Sequence, residues 1–399
     1  MLKRILRYSR RVYELDKICS AVVDRRKRPR ISTENVFKII FIMSLARLGS
    51  LNALEQEKQN KFWKKWTGNK TFPSADTNGR VYSLIVLDTI REAIKRLYDK
   101  LKRNKRLKSP PHGKIVLVID GHESSSSFLR CCPSCLKRKL NNNRIQYYHR
   151  EVVAMLVFDD FNMPIDCEQQ LPGEQEVTTS YRLLERVLRM YPRAFDLIAV
   201  DGLYVSAPFF KLAIKHKKDV IAVLKDERRE LYKDVEGLRR LEQPIEEEIL
   251  NRKCQIWDFE NLTTWTQIGR DVRCVCSVEE KTVRRQKSKE KEKIISKWIW
   301  VTTLAKKDVS TIDIVKLGHS RWHIENQGFN ELVNEWNANH VYKHSGNAII
   351  GFWLTTMFAY IIFHAFFRFN LKPEVRKKYT KRFILNKIFA DLSSNNLPP

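Results

Sequence analysis

Three acidic residues make the strongest case for chemistry in this sequence. Asp120 ends the apolar run Ile115-Val116-Leu117-Val118-Ile119 and is followed by Gly121; Asp201 ends Leu197-Ile198-Ala199-Val200 and is followed by Gly202. Glu325 comes four residues after Arg321, a spacing that puts both on one face of a helix, where the guanidinium can orient the carboxylate or reach a phosphate. Carboxylates are hard ligands suited to Mg²⁺ or Mn²⁺. Two such ions about 4 Å apart can activate a water or hydroxyl and stabilise the oxygen departing from phosphorus. Singly, each aspartate reads as a turn residue and the Arg321/Glu325 pair as a surface ion pair. Together they demand a fold that makes them converge.

The elements around them suggest how. Residues 114–121 and 196–202 are short, β-branched apolar runs stopped by glycine, the pattern of strands buried on both faces, and α/β folds place ligands at the carboxyl ends of such strands. Between them come a polar loop containing residues 124–127, strands over 147–158 and from 163 to 167, and a helix capped by Thr178, Thr179 or Ser180 with Leu183, Leu184, Val187 and Leu188 as its stripe. A helix through Phe209, Phe210, Leu212 and Ile214 and a strand over 220–224 follow. This order predicts an α/β fold, a ribonuclease-H-like mixed sheet core with an inserted antiparallel β region over 226–305 and an N-terminal helical region. The expected divisions are a helical basic region over 1–108, the core over 109–225 and 306–369, and a basic tail over 370–399.

In the first region, Ser32 starts a helix that Gly49 closes, and a further helix runs on from Val81 to the basic stretch before Pro110 and Pro111. The chain has 399 residues, 43% of them hydrophobic, which allows a large core and excludes a disordered chain. Lys and Arg total 74 against 46 acids, an excess of +28 concentrated in residues 3–30, 95–108 and 281–297. That balance points to a polyanionic partner, nucleic acid before an anionic membrane. The N-terminus lacks the apolar segment of a signal peptide, so secretion is not expected. Residues 348–367 are apolar enough to span a membrane but stand alone, include His364 and end a basic chain, so they read as a buried core helix.

The eight cysteines therefore read as thiols or metal ligands rather than a disulfide framework. Cys132 and Cys135 form a knuckle of zinc type. His149 is the candidate third ligand of a structural Zn²⁺, and Cys131, His122 or Cys167 the fourth. Cys274 and Cys276, without a partner pair, read as packing.

Asp120, Asp201 and the Arg321/Glu325 stretch resemble the DDE transposases of the insertion-sequence-four type over residues 113–369. The third motif of that family, Y-x2-R-x3-E-x6-K, is matched at Arg321 and Glu325 and departed from at Gly318 and Leu332, leaving His319, Lys316 or Lys343 to supply the auxiliary phosphate contact. Asp201-Gly202-Leu203-Tyr204 resembles the second motif, and His344 with Trp353-Leu354 the tail pattern. The resemblance implies an enzyme that nicks element ends and joins them to target DNA, with Asp120, Asp201 and Glu325 as catalytic metal ligands. Asp120 would bridge two Mg²⁺ or Mn²⁺ ions. It also implies double-stranded DNA as partner, a homodimer in the DNA complex, no membrane, and a prokaryotic, cytoplasmic, nucleoid-associated protein. Arg321, His319, Lys343 and Trp265 are the candidate DNA contacts, Trp265 by stacking on an unpaired base while Trp298 and Trp300 read as core. The competing readings are a DNA-binding derivative that no longer cuts and a membrane-associated basic protein.

Overall fold

The computed structural model describes residues 1–68, 70–141, 143–159, 161–226, 229–284, 291–321 and 328–394. Helices α1 (Leu2–Tyr13), α2 (Leu15–Ser20), α3 (Thr33–Ala46), α4 (Leu51–Gln56), α5 (Lys61–Thr67), α6 (Ala75–Leu84) and α7 (Leu87–Arg103) precede the sheet. Then come β1 (Val116–Ser127), β2 (Leu136–Lys139), β3 (Ile145–Val157), β4 (Asn162–Gln169), α8 (Glu176–Met190), β5 (Leu197–Val200), α9 (Ala207–Lys215) and β6 (Asp219–Val223). The insertion supplies α10 (Glu230–Leu241), β7 (Ile245–Ile249), β8 (Arg252–Leu262), β9 (Val272–Arg284) and β10 (Lys291–Thr302). The chain finishes with α11 (Thr311–Ser320), α12 (Asn330–Asn334), α13 (Gly346–Phe369), α14 (Pro373–Lys378) and α15 (Lys381–Ser393).

Among the described residues, ten strands form one mixed sheet in the order β2-β3-β1-β5-β6-β10-β9-β8-β7, with β4 also on β3. β1, β5 and β6 run parallel and the other pairings are antiparallel. The inserted strands thus extend the central sheet, because β10 pairs with β6 through Trp300, Val301 and Thr302.

Several boundaries differ from the sequence reading. β1 does not stop at Asp120-Gly121: its partner β5 ends, but pairing to β3 continues past a bulge near Ser125 to Ser127, so the polar run 124–127 is strand, not loop. α8 starts at Glu176, which puts Thr178, Thr179 and Ser180 inside the helix and leaves Gln175 at the cap. α3 begins as expected, with Ser32 Oγ accepting from the Asn35 amide, but it ends at Arg47 (φ 59°) before Gly49 is reached. The Arg47 guanidinium donates to Glu335 at 3.0 Å, and Asn337 donates to the Arg47 carbonyl. The helical stretch after Val81 is two helices, α6 and α7, broken where Ile85 bridges to Asp24.

Helix α13 explains the organisation of the rest. Its most apolar segment is wholly enclosed, with α3, α6, α7 and β4 packed around it. It is apolar on all sides because protein surrounds it on all sides. Tyr82 stacks on Phe352 at 4.2 Å and bonds Thr355, while Phe37 and Phe41 pack on Phe358. The N-terminal helices also reach the sheet through a buried charge network. Asp166 of β4, 1% exposed, accepts from Arg91 of α7 at 2.9 Å and Arg186 of α8 at 2.6 Å. Removing one partner of such a network leaves an uncompensated buried charge, at about 3–5 kcal/mol.

Candidate active site

The register of the two parallel strands sets the first relationship. Val118 lies opposite Ala199, so two residues further on Asp120 and Asp201 leave neighbouring strands side by side, at the carboxyl end where β5 stops. Arg321, the residue that caps α11, reaches Asp120 from the other end of the sequence, with its Nη1 donating to Oδ2 at 2.8 Å. Asp201 accepts from Lys225 Nζ at 3.0 Å.

A third carboxylate, not anticipated from the sequence, lies over Gly121. It is Glu176, the first residue of α8, where the positive end of the helix dipole favours an acid. Tyr204 of the Asp-Gly-Leu-Tyr stretch is fully buried and donates its hydroxyl to Glu176 at 2.8 Å, and Arg150 of β3 contacts the other oxygen at 3.3 Å. The signal that could have pointed to it is Pro172-Gly173 ahead of a first-turn acid.

Electrostatics separates the two aspartates. Burial pushes Asp120 up to about 6; Arg321 opposes this, while Glu176 and Asp201 add to it. Burial also acts to raise Asp201, but the Lys225 bond, the Gly202 amide and Arg321 outweigh it and hold this carboxyl below the ordinary aspartate range. Two acids of unequal proton affinity share one sheet edge, each paired with a cation from a distant element, Arg321 and Lys225.

A family profile described as Transposase DDE domain matches residues 111–362. The chain belongs to the transposase DDE domain family. No curated protein matches it. Among solved structures, the piggyBac transposase synaptic complex with hairpin DNA, determined by cryo-EM, is similar at 11% identity and a TM-score of 0.44, covering 96% of this chain and 79% of that chain. DDE transposases as a class are metal-dependent DNA-cleaving enzymes.

In this DDE transposase the expected third acid, Glu325, lies outside the described residues. Its neighbour Arg321 is described, and α11 that carries it is fixed at both ends by the insertion. At the start, Thr311 donates to Asp258, which also holds the buried Arg273 at 2.7 Å, and Arg273 donates to the Val309 carbonyl. At the end, His319 Nε2 bonds Glu279 of β9 at 2.8 Å and sits edge-on to Trp298 and Trp300. His319 is therefore turned into the interior, 7% exposed, rather than offered to a phosphate.

The two positions at which the sequence departs from the Y-x2-R-x3-E-x6-K pattern are both enclosed. A Cβ at Gly318 would stand 2.3 Å from the Trp300 indole, which fills the space where the motif carries its tyrosine. Leu332, at the lysine position, is fully buried. Lys343 lays its stem over Gly79 of α6, away from α11. Trp265 is half-buried against Phe210, at 4.9 Å, and lines an open pocket of about 750 Å³ with Lys211 and Arg229.

The cysteine knuckle is assembled as expected in three of its members. Cys135 Sγ is 3.3 Å from His149 Nε2, and Cys132 Sγ is 3.6 Å from it. None of the three sequence candidates for a fourth ligand joins Cys132 and His149 in the metal-competent group among the described residues. His122 stacks on Phe329, Cys167 is buried beside the Arg91–Asp166 network, and Cys131 is exposed. The residue brought to the group is His344.

Proposed function

We propose that this DDE transposase is of the insertion-sequence-four type, prokaryotic, cytoplasmic and nucleoid-associated, and that it cuts the ends of its element and joins them to target DNA as a homodimer. The observation that carries the reading is the pairing of Asp120 with Asp201 at the carboxyl ends of adjacent parallel strands, with Arg321 delivered to the same point. The strand order β4-β3-β1-β5-β6, with the first two antiparallel and the last three parallel, supports a ribonuclease-H-like core over 109–225 and 306–369. The helical region 1–108, the insertion 226–305 and the tail 370–399 surround that core, and the net charge of +28 supports DNA as partner.

Asp120 and Asp201, with Glu325, would hold Mg²⁺ or Mn²⁺ in two sites, since their hard oxygens suit such ions and the two aspartates leave adjacent strands side by side. A divalent cation bound there supplies Lewis acidity to the phosphodiester and to the attacking water or 3′-hydroxyl. The chain's own residues do the positioning. Arg321 fixes the Asp120 carboxylate, Tyr204 and Arg150 fix Glu176 beside it, and Lys225 helps hold the Asp201 carboxyl below the ordinary aspartate range. Trp265, beside Lys211 and Arg229, is placed to stack on an unpaired base.

A second reading, a DNA-binding derivative that no longer cuts, is favoured by the loss of motif side chains at Gly318 and Leu332. Incubation with Mg²⁺ and DNA carrying both flanks of the gene separates the two. The transposase reading gives nicks at the element boundaries that Asp201→Asn abolishes without loss of binding. Binding with no nicking by the wild type would favour the derivative.

A further inference from the structure

We propose that Cys132, Cys135, His149 and His344 bind a structural Zn²⁺ that pins the β1–β3 hairpin to the start of α13. The knuckle follows β1, His149 lies on β3, and His344 stands two residues before the helix, so three distant segments meet at one point. The two sulfurs are 3.7 Å apart and lie 3.6 and 3.3 Å from His149 Nε2. Zinc–sulfur bonds of about 2.3 Å and zinc–nitrogen bonds of about 2.0 Å in a tetrahedron give edges of about 3.8 Å between sulfurs and about 3.5 Å between sulfur and nitrogen. The three edges seen here lie within about 0.2 Å of those lengths. A disulfide would bring the sulfurs to about 2.05 Å. Ligand atoms of Cys132, His149 and His344 all lie within 4.8 Å of one another, and Nδ1 of His344 is buried without a hydrogen-bond partner among the described residues.

The surroundings are shaped for the same purpose. Gln169 of β4 stands with its side-chain Nε2 2.9 Å from His149 Nδ1. Rotating that amide by half a turn, so that its oxygen accepts from Nδ1–H, leaves Nε2 of His149 its lone pair for the ion, the usual outer partner of a zinc-bound histidine. Gly346 comes so close that a Cβ would stand 2.7 Å from the end of the Gln169 side-chain amide and 2.8 Å from Ser134 Oγ, the serine inside the knuckle. Glycine there lets α13 begin directly on the site. The ion would also anchor the far end of the segment that leads from Arg321 and Glu325 into α13.

Metal analysis of the purified full chain tests this, with one zinc per chain expected. Cys135→Ser and His344→Ala should each lose it, and Cys131→Ser should keep it. X-ray absorption on the wild type should read two sulfur and two nitrogen neighbours, an answer that needs no variant to fold. Cobalt(II) exchange should give the absorption of a tetrahedral, thiolate-ligated ion, and chelation should lower the melting temperature. A chain purified without zinc whose melting is indifferent to chelator, or a zinc-loaded chain in which His344→Ala folds and keeps full zinc, would overturn the proposal.

Discussion

Arg321 Nη1 donates to Asp120 Oδ2 at 2.8 Å across 201 positions of sequence, and this contact joins the helix after the insertion to the strand that carries the first acid. Both side chains are largely enclosed, at 12% and 18% exposure, so the pair is not a screened surface bridge. Arg321→Gln should lower metal-dependent cleavage by ~10–100-fold, as for other groups that orient a metal ligand. DNA affinity and melting temperature should change little. Unchanged cleavage rates would show that Asp120 needs no such partner.

His319 separates positioning from phosphate contact. Because it bonds Glu279 in the interior, His319→Ala should destabilise the chain by about 1–3 kcal/mol, the cost of leaving a buried group unpaired, and reduce cleavage through α11. The salt dependence of DNA binding should be that of the wild type. A salt slope reduced by about one would instead assign His319 to a phosphate.

Gly318 and Trp300 should be coupled. Gly318→Ala forces a methyl into the indole and is expected to cost about 1–3 kcal/mol in denaturant unfolding, and most of that cost should vanish when Trp300→Leu is made first. Additive effects would mean that the helix accommodates the methyl some other way.

What the sequence disclosed follows from how local each signal was. Asp120 and Asp201 were legible because each ends an apolar run, and α13 because a wholly apolar helix needs enclosure on every side. Glu176 was hidden because its role depends on Gly121 and Tyr204, which are remote in sequence, and because the serine and threonines downstream looked like better caps. His344 was read only as part of the tail pattern and not with the cysteines, for the same reason: a loop histidine shows no periodicity, and only the fold brings it to Cys132. The strand character of residues 124–127 was masked by their polarity, which the antiparallel pairing to β3 overrides. The glycine at 318 read only as a lost tyrosine, because the tryptophan that leaves no room for a side chain there lies on another element.

Glu151, enclosed on β3, gives a pH test of the core. Burial pushes its carboxyl up to about 8, which the neighbouring Ser124 hydroxyl only partly offsets. Below about pH 4.5 both folded and unfolded chains carry the proton; as pH rises towards 8 the unfolded chain releases it while the fold retains it, so stability falls across that window. Glu151→Gln should flatten this decline in melting temperature against pH, with Asp120 contributing equally to both proteins. An identical slope would place Glu151 in a more hydrated setting than the structure gives it.

The central claim is that Asp120 and Asp201 together hold the cations that cut DNA, and replacing each by cysteine tests it most directly. Thiolate is a poor ligand for Mg²⁺ and a tolerable one for the softer Mn²⁺. Cleavage of DNA carrying the flanks of the gene should disappear in Mg²⁺ for Asp120→Cys and Asp201→Cys and return in part in Mn²⁺, with end binding intact throughout. Wild-type cleavage rates in Mg²⁺ from either variant would contradict the account.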